Sequence, residues 1–406
     1  MDIFDKYSLP GARHDELLNY GKDPFNLCME EIYSSTEARV NGRRTILVGT
    51  NNYLGITFDP VCSEAAIEAI RKFGTGTTGS RIANGTYAPH LAAEAAIAGF
   101  LNRRSAMVFP TGYQANLGVI AGLAGPKDVI LLDADSHSSI YDGCQLSGAT
   151  LVRFRHNDPA DLDKRLTRLG DPGACKLVIV EGIYSMLGDR APLKEFVEVK
   201  QKHGAYLLVD EAHSLGVLGD HGRGLAEEAG VEDAVDFVAG TFSKSLGAVG
   251  GFGASNHPRF EVLRFCSRPY MFTASASPSN VASVLAALQR IQEQPNLRVR
   301  LWENAKALHD GLSDMGFDII SPESPVIAIR MKDEQTAIYA WNRLLDSGVY
   351  VNLALPPGTP TGTCLLRCSV SAAHTPDQII EICQRFGAVA AELSARESEQ
   401  AKAATA

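Results

Sequence analysis

The stretch Gly240-Thr241-Phe242-Ser243-Lys244-Ser245 lies downstream of Val209-Asp210-Glu211-Ala212-His213. In the earlier segment an apolar run ends in an acid and a histidine. In the later one an apolar run ends in a lysine flanked by hydroxyls. This set of residue types suits pyridoxal 5'-phosphate (PLP). A lysine amine forms the Schiff base, and an acid keeps the pyridine nitrogen protonated so that the ring can accept electrons. Hydroxyls beside the lysine can bind the phosphate. The lysine must be unprotonated part of the time, and burial beside a cationic ring would lower its pKa.

Each residue also has a plainer reading. Lys244 alone would be a solvated surface lysine, but the Gly-rich Gly247-Ala248-Val249-Gly250-Gly251 follows it. Asp210 closes Ala205-Tyr206-Leu207-Leu208-Val209 and could be a helix N-cap. An acid at the end of a buried strand needs a partner, and a protonated pyridine nitrogen is one. His213 draws its weight from Asp210 and would reach the cofactor's phenolic oxygen. His137, in Asp133-Ala134-Asp135-Ser136-His137-Ser138-Ser139, would stack on the ring and touch a substrate carboxylate; otherwise it is a turn histidine. Thr111-Gly112-Tyr113-Gln114-Ala115-Asn116 opens a helix, and free N–H groups entered through glycine bind phosphate. Arg367, within the apolar Leu365-Leu366-Arg367-Cys368-Ser369, needs a partner, either an amino-acid carboxylate or a structural acid. Gly74-Thr75-Gly76-Thr77-Thr78-Gly79 matches the dinucleotide fingerprint by letter, but a helical pattern precedes it where a strand is required. A mobile Gly/Thr loop near a ligand or subunit interface fits better.

The elements that must position these residues are visible as short apolar runs alternating with helical segments. The runs are Ala106–Phe109, Val129–Leu132, Thr150–Phe154, Leu177–Glu181, Tyr206–Asp210 and Asp236–Ala239. Runs without in/out alternation suit parallel strands buried on both faces. Their alternation with helices predicts a doubly wound α/β sheet, whose chemistry gathers at the carboxyl ends of the strands. Asp133, His137, Glu181, Ser185, Asp210, His213, Thr241 and Lys244 all follow a strand in this way. Arg44–Val48 reads as a strand, 60–73 as an amphipathic helix, and Val281–Leu308 as one long helical pattern. Further strands are expected at Pro325–Met331, Tyr350–Leu353 and Leu365–Val370, with helices near 334–347 and 375–394. The expected organisation is an N-terminal arm with helical stretches (1–45), a large PLP-binding domain (46–285), a smaller α+β C-terminal domain (286–394) and a disordered tail (395–406).

The 406 residues suffice for two domains. A net charge of −9 argues against nonspecific nucleic-acid binding. The 8 cysteines form no Cys-x-x-Cys pair, so reduced thiols are expected and no metal site. The N-terminus has no apolar signal segment, and no apolar run reaches membrane-spanning length. A cytoplasmic protein is expected.

With these residues in hand, the chain resembles the α-oxoamine synthases, a group of fold-type I PLP enzymes, from about residue 45 to 390. The family joins an amino acid to an acyl thioester with loss of CO2. The resemblance implies the fold-type I arrangement: a large domain with a mostly parallel sheet between helices, and a smaller C-terminal domain. Several motifs are most similar to bacterial members that condense L-serine with a long-chain acyl thioester. They are Gly74–Arg81 with Asn84-Gly85-Thr86-Tyr87, Asn256-His257-Pro258, Arg268-Pro269-Tyr270, Phe272-Thr273-Ala274-Ser275 and Pro356-Pro357-Gly358-Thr359-Pro360. The carrier of the thioester is either coenzyme A or an acyl carrier protein. Sister enzymes use glycine or alanine with another acyl-CoA, as 8-amino-7-oxononanoate synthase and 2-amino-3-ketobutyrate ligase do. By the resemblance, Lys244 carries the cofactor, Asp210 pairs with the pyridine nitrogen, His213 with the phenolic oxygen, and His137 stacks on the ring. Gly112, Tyr113, Thr241 and Ser243 bind phosphate, and Ser185 lies beside the cofactor. Thr273 reaches the phosphate of the partner subunit's PLP in a homodimer. Asn52 lines the site and Arg367 binds the serine carboxylate. Peripheral contact with a membrane would suit a lipid product. One position departs from the pattern: where those bacterial members carry an arginine before the Pro-Pro, this chain has Leu355. The role of that arginine, swinging onto the substrate carboxylate, has no counterpart there.

Overall fold

The computed structural model describes residues 2–170, 173–359 and 362–404. Pro360, the last residue of the Pro356–Pro360 motif, lies outside the described residues, as do Thr405 and Ala406 of the tail. The chain forms two compact units: residues 51–185 with 189–300, and residues 1–50 with 186–188 and 301–406.

The larger unit is built on a seven-stranded sheet. Its spatial order is Ser105–Phe109, Gly251–Ser255, Phe237–Thr241, Tyr206–Asp210, Lys176–Glu181, Val129–Asp133, Thr150–Phe154. The last five pair in parallel. Gly251–Ser255 runs antiparallel to both its neighbours. All residues of Val129–Asp133, Phe237–Thr241 and Gly251–Ser255 are buried, as expected of strands covered on both faces. Thr150–Phe154, at the sheet edge, is largely exposed.

The Gly-rich segment after Lys244 leads into a strand that no apolar pattern announced. Gly251 and Gly253 weaken its intrinsic preference for strand. Close packing is what requires them: a Cβ on Gly251 would lie 2.6 Å from Gly112 Cα, and one on Gly253 would lie 2.5 Å from Val119 Cγ2. The helix Gly112–Leu123 therefore rests directly on this strand. The expected long helix over Val281–Leu308 is two helices, Pro278–Glu293 and Asn296–Asp314. Pro295 separates them, because it disfavours a helical conformation at the residue before it and Gln294 is non-helical.

The smaller unit has a core of its own, with Leu308, Ile327, Trp341, Leu366 and Phe386 at its centre. Three strands, Val326–Met331, Cys364–Ser369 and Asn352–Ala354, form one antiparallel sheet. Residues 1–45, expected as an arm with helical stretches, hold the α-helix Ser8–Leu18 and also the strands Met29–Ile32 and Glu37–Val40. Those strands continue through Arg43–Leu47, which pairs in parallel with Val349–Tyr350. This pairing of distant segments ties residues 1–50 to 301–406. The final helix, Pro376–Ala404, extends into the stretch expected as a disordered tail.

Candidate active site

Three adjacent strands of the larger unit end side by side. Glu181 and Asp210 are register partners across parallel strands, and Thr241 ends the next strand. The loops leaving these ends carry Ser185, His213 and Lys244. The sheet thus brings the lysine, the acid and the histidine to one edge, as the spacing predicted.

Asp210 is buried and held from two sides. Asn116 Nδ2 donates to its Oδ2 at 2.7 Å, and the backbone N–H of Ala212 donates to its Oδ1 at 2.9 Å. His213 is buried, and its Nδ1 lies 2.7 Å from the Tyr53 hydroxyl. His137 is joined to the same cluster. Its Nδ1 lies 2.8 Å from Ser139 Oγ, and Asn116 Nδ2 donates to that same oxygen at 2.9 Å. The His137 backbone N–H donates to Glu181 Oε1 at 2.5 Å. Burial lowers the His137 pKa and the charge of Lys244 lowers it further, against the pull of Asp210. Burial raises the Glu181 carboxyl well above its usual range, and the Asp210 charge adds to this.

Thr241 Oγ1 lies 2.8 Å from Ser243 Oγ and donates to the Gly250 carbonyl at 3.0 Å. Gly112 opens its helix directly against Thr241: a Cβ there would lie 2.6 Å from Thr241 Cβ. Thr111 caps that helix, accepting the Gln114 N–H at 3.1 Å. A helix N-terminus and two hydroxyls thus converge where an anion is favoured. Tyr113, the next residue, is exposed and its hydroxyl donates to Asp142. Gln114 Nε2 donates to Thr273 Oγ1 at 3.2 Å, so within this chain Thr273 lies beside the same helix end. Asn52 donates to Thr57 Oγ1 at 2.7 Å, while its Oδ1 is buried without a partner. Arg367 belongs to the smaller unit, where its Nη1 donates to Ser369 Oγ at 2.8 Å. Leu355 also lies in that unit.

These groups fit PLP. A buried carboxylate suits the ring nitrogen, a tyrosine-bonded histidine suits the phenolic oxygen, and the cradle of Gly112, Thr241 and Ser243 suits a phosphate. A Cβ at Gly112 would fill that cradle. Reading the sequence missed Asn116, Ser139 and Tyr53 as parts of the cluster, and placed Glu181 at the strand ends without its bond to His137. Asn116 and Tyr53 stand close to residues that were singled out, but their partners lie at 210 and 213, and nothing in the local pattern links them.

A family model described as aminotransferase class I and II matches residues 43–386. The serine palmitoyltransferase of Caulobacter vibrioides is 56% identical to this chain over 393 residues, which is 97% of each chain. That of Sphingomonas paucimobilis is 52% identical over 95% of this chain and 93% of its own length. A solved structure of SPT with PLP internal aldimine superposes with a TM-score of 0.95 at 51% identity, covering 97% of this chain and 100% of that one.

Proposed function

The chain belongs to the aminotransferase class I and II family, and on that premise we propose that it is a serine palmitoyltransferase. It condenses L-serine with a long-chain acyl thioester such as palmitoyl-CoA, yielding 3-ketodihydrosphingosine, CO2 and free thiol. This is the first step of sphingolipid synthesis. The observation that carries the reading is identity above one half to a serine palmitoyltransferase over 97% of the chain, with Lys244, Asp210 and His213 at one sheet edge.

PLP is the cofactor, and when bound it supplies a sink for negative charge developing at the substrate's α-carbon. Asp210, held in place by Asn116 and Ala212, would hold the ring nitrogen protonated. His213, fixed by Tyr53, would meet the phenolic oxygen. Gly112, Tyr113, Thr241 and Ser243 would bind the phosphate, joined by Thr273 of a second copy in a homodimer. Ser185 and Asn52 would line the cofactor, the latter through its unpartnered Oδ1. Lys244 would hold the cofactor covalently, and its amine, when free, would take the α-proton of serine. A carbon–carbon bond forms between the α-carbon and the acyl carbonyl carbon as the carbon–sulfur bond breaks. The thiolate leaves and gains a proton. The carboxylate departs as CO2, and the α-carbon is reprotonated. His137 would orient the serine carboxylate until the thioester arrives, so that its loss is timed by orientation. With Leu355 before Pro356, no arginine at that position shares the task.

Among the described residues no helix is long and apolar enough to cross a membrane. A lipid product suits a cytoplasmic enzyme in peripheral contact with the inner membrane face. The PLP-loaded protein given L-serine and palmitoyl-CoA should form the long-chain ketone and CO2 in equal amounts by mass spectrometry. A keto acid without CO2 release would identify an aminotransferase and overturn the proposal.

A further inference from the structure

His137 caps the helix Ser138–Ser147 with its own ring, Nδ1 accepting the Ser139 backbone N–H at 3.2 Å. The same nitrogen lies 2.8 Å from the Ser139 hydroxyl, and since it already accepts a backbone N–H it is the acceptor of that bond too. Asp210 is an acceptor, so Asn116 turns its amide nitrogen toward it at 2.7 Å. The second hydrogen of that nitrogen goes to Ser139 Oγ at 2.9 Å. A hydroxyl has one proton to give. Ser139 Oγ accepts from Asn116 and gives its own proton to His137 Nδ1, which already accepts the Ser139 backbone N–H and so carries no proton itself. Two donors, one backbone and one hydroxyl, then converge on Nδ1. A neutral imidazole that accepts at one nitrogen carries its proton on the other.

We propose that Asn116 and Ser139 are positioning residues that lock His137 in its Nε2–H tautomer, so that the ring offers a hydrogen-bond donor to a carboxylate oxygen of the amino-acid substrate. The assignment of that substrate rests on the reading of the site given above. A bare Nε2 would meet such an oxygen lone pair to lone pair, whereas Nε2–H donates to it. The groups that bear on the ring are Asp210, Asp142, Lys244 and Glu181. Asp210 and Asp142 favour a second proton on it; burial and Lys244 oppose one. Glu181 holds the backbone from which the ring projects. The ring stays neutral, and its tautomer decides what it presents.

The test is a long-range proton–nitrogen spectrum of the 15N-histidine-labelled, PLP-loaded enzyme at neutral pH, with the His137 signal assigned by its loss in His137→Asn. The expected pattern is a neutral ring protonated at Nε2 alone. Ser139→Ala and Asn116→Leu should bring in an Nδ1–H population and raise the KM for L-serine several-fold, with a smaller effect on kcat. Ser139→Thr keeps the hydroxyl and should restore both. An Nδ1–H or doubly protonated ring in the wild type would overturn the proposal. So would Ser139→Ala with an unchanged spectrum and an unchanged KM. The spectrum is read without any acyl donor: a wild type with the Nε2–H pattern but no condensation would count against the functional reading and leave the lock intact.

Discussion

Asp210 is assigned a role that needs its charge, and it accepts two hydrogen bonds, at 2.7 and 2.9 Å. Asp210→Asn keeps the shape and removes the charge. The variant should bind PLP yet lose exchange of the serine α-proton with solvent, measured by proton NMR in heavy water; normal exchange would remove the electron-sink argument. His156 offers a residue-scale test of stability. Its Nδ1 lies 2.8 Å from Asp133 and its Nε2 2.7 Å from Asp189. Burial pulls its pKa down, but the two carboxylates prevail and push it up to about 10 from 6.5. A pKa raised on folding stabilises the fold fully below pH 6.5, and that contribution is lost as pH rises toward about 10. Thermal unfolding of His156→Gln should therefore fall furthest behind the wild type below pH 6.5 and catch up toward pH 10. A gap independent of pH would show that the charged ring contributes nothing.

At the scale of elements, close approach of the helix Gly112–Leu123 to the strand Gly251–Ser255 and to Thr241 shapes the anion cradle. Gly112→Ala would force a Cβ to within 2.6 Å of Thr241 Cβ. PLP affinity should drop on the order of ten-fold, about 1.4 kcal/mol, read by cofactor titration; unchanged affinity would remove the cradle from the account. Glu94, on the helix Ala88–Phe100, is a second junction. It accepts from Arg81 Nη1 at 2.7 Å, Arg264 Nη1 at 3.1 Å and the Val108 N–H at 3.0 Å, with Glu94 and Arg81 both buried and Arg264 half-buried. Glu94→Ala leaves Arg81 as an uncompensated buried charge, and denaturant unfolding should show a loss of about 3 to 5 kcal/mol. A loss under about 1 kcal/mol, the range of an exposed pair, would mean that water screens the cluster. The parallel strands were legible because burial on both faces writes continuous apolar runs into the sequence. The carboxyl-edge residues were legible because each directly follows such a run. Gly251–Ser255 was hidden because helix packing, not strand propensity, selects its glycines. The strands Met29–Ile32 and Glu37–Val40 were hidden because charged residues, exposed in the first and half-buried in the second, interrupt any apolar pattern. Asn116–Asp210 and Tyr53–His213 were hidden because they join residues far apart in the chain, and only the folded sheet brings them together.

For the whole molecule, the proposal requires two copies, since Thr273 is assigned to the phosphate held by a second chain. Light scattering of the PLP-loaded protein should give the mass of two chains. A monomer with full activity would mean that the phosphate needs no Thr273 from a second chain. The central claim concerns the substrates, and the release of free thiol from palmitoyl-CoA tests it most directly. The measurement runs L-serine, glycine and L-alanine in parallel on the PLP-loaded protein. The account predicts thiol release with L-serine and little with the other two. Release with glycine or alanine but not serine would contradict it, keeping the condensation and moving the enzyme to a sister activity.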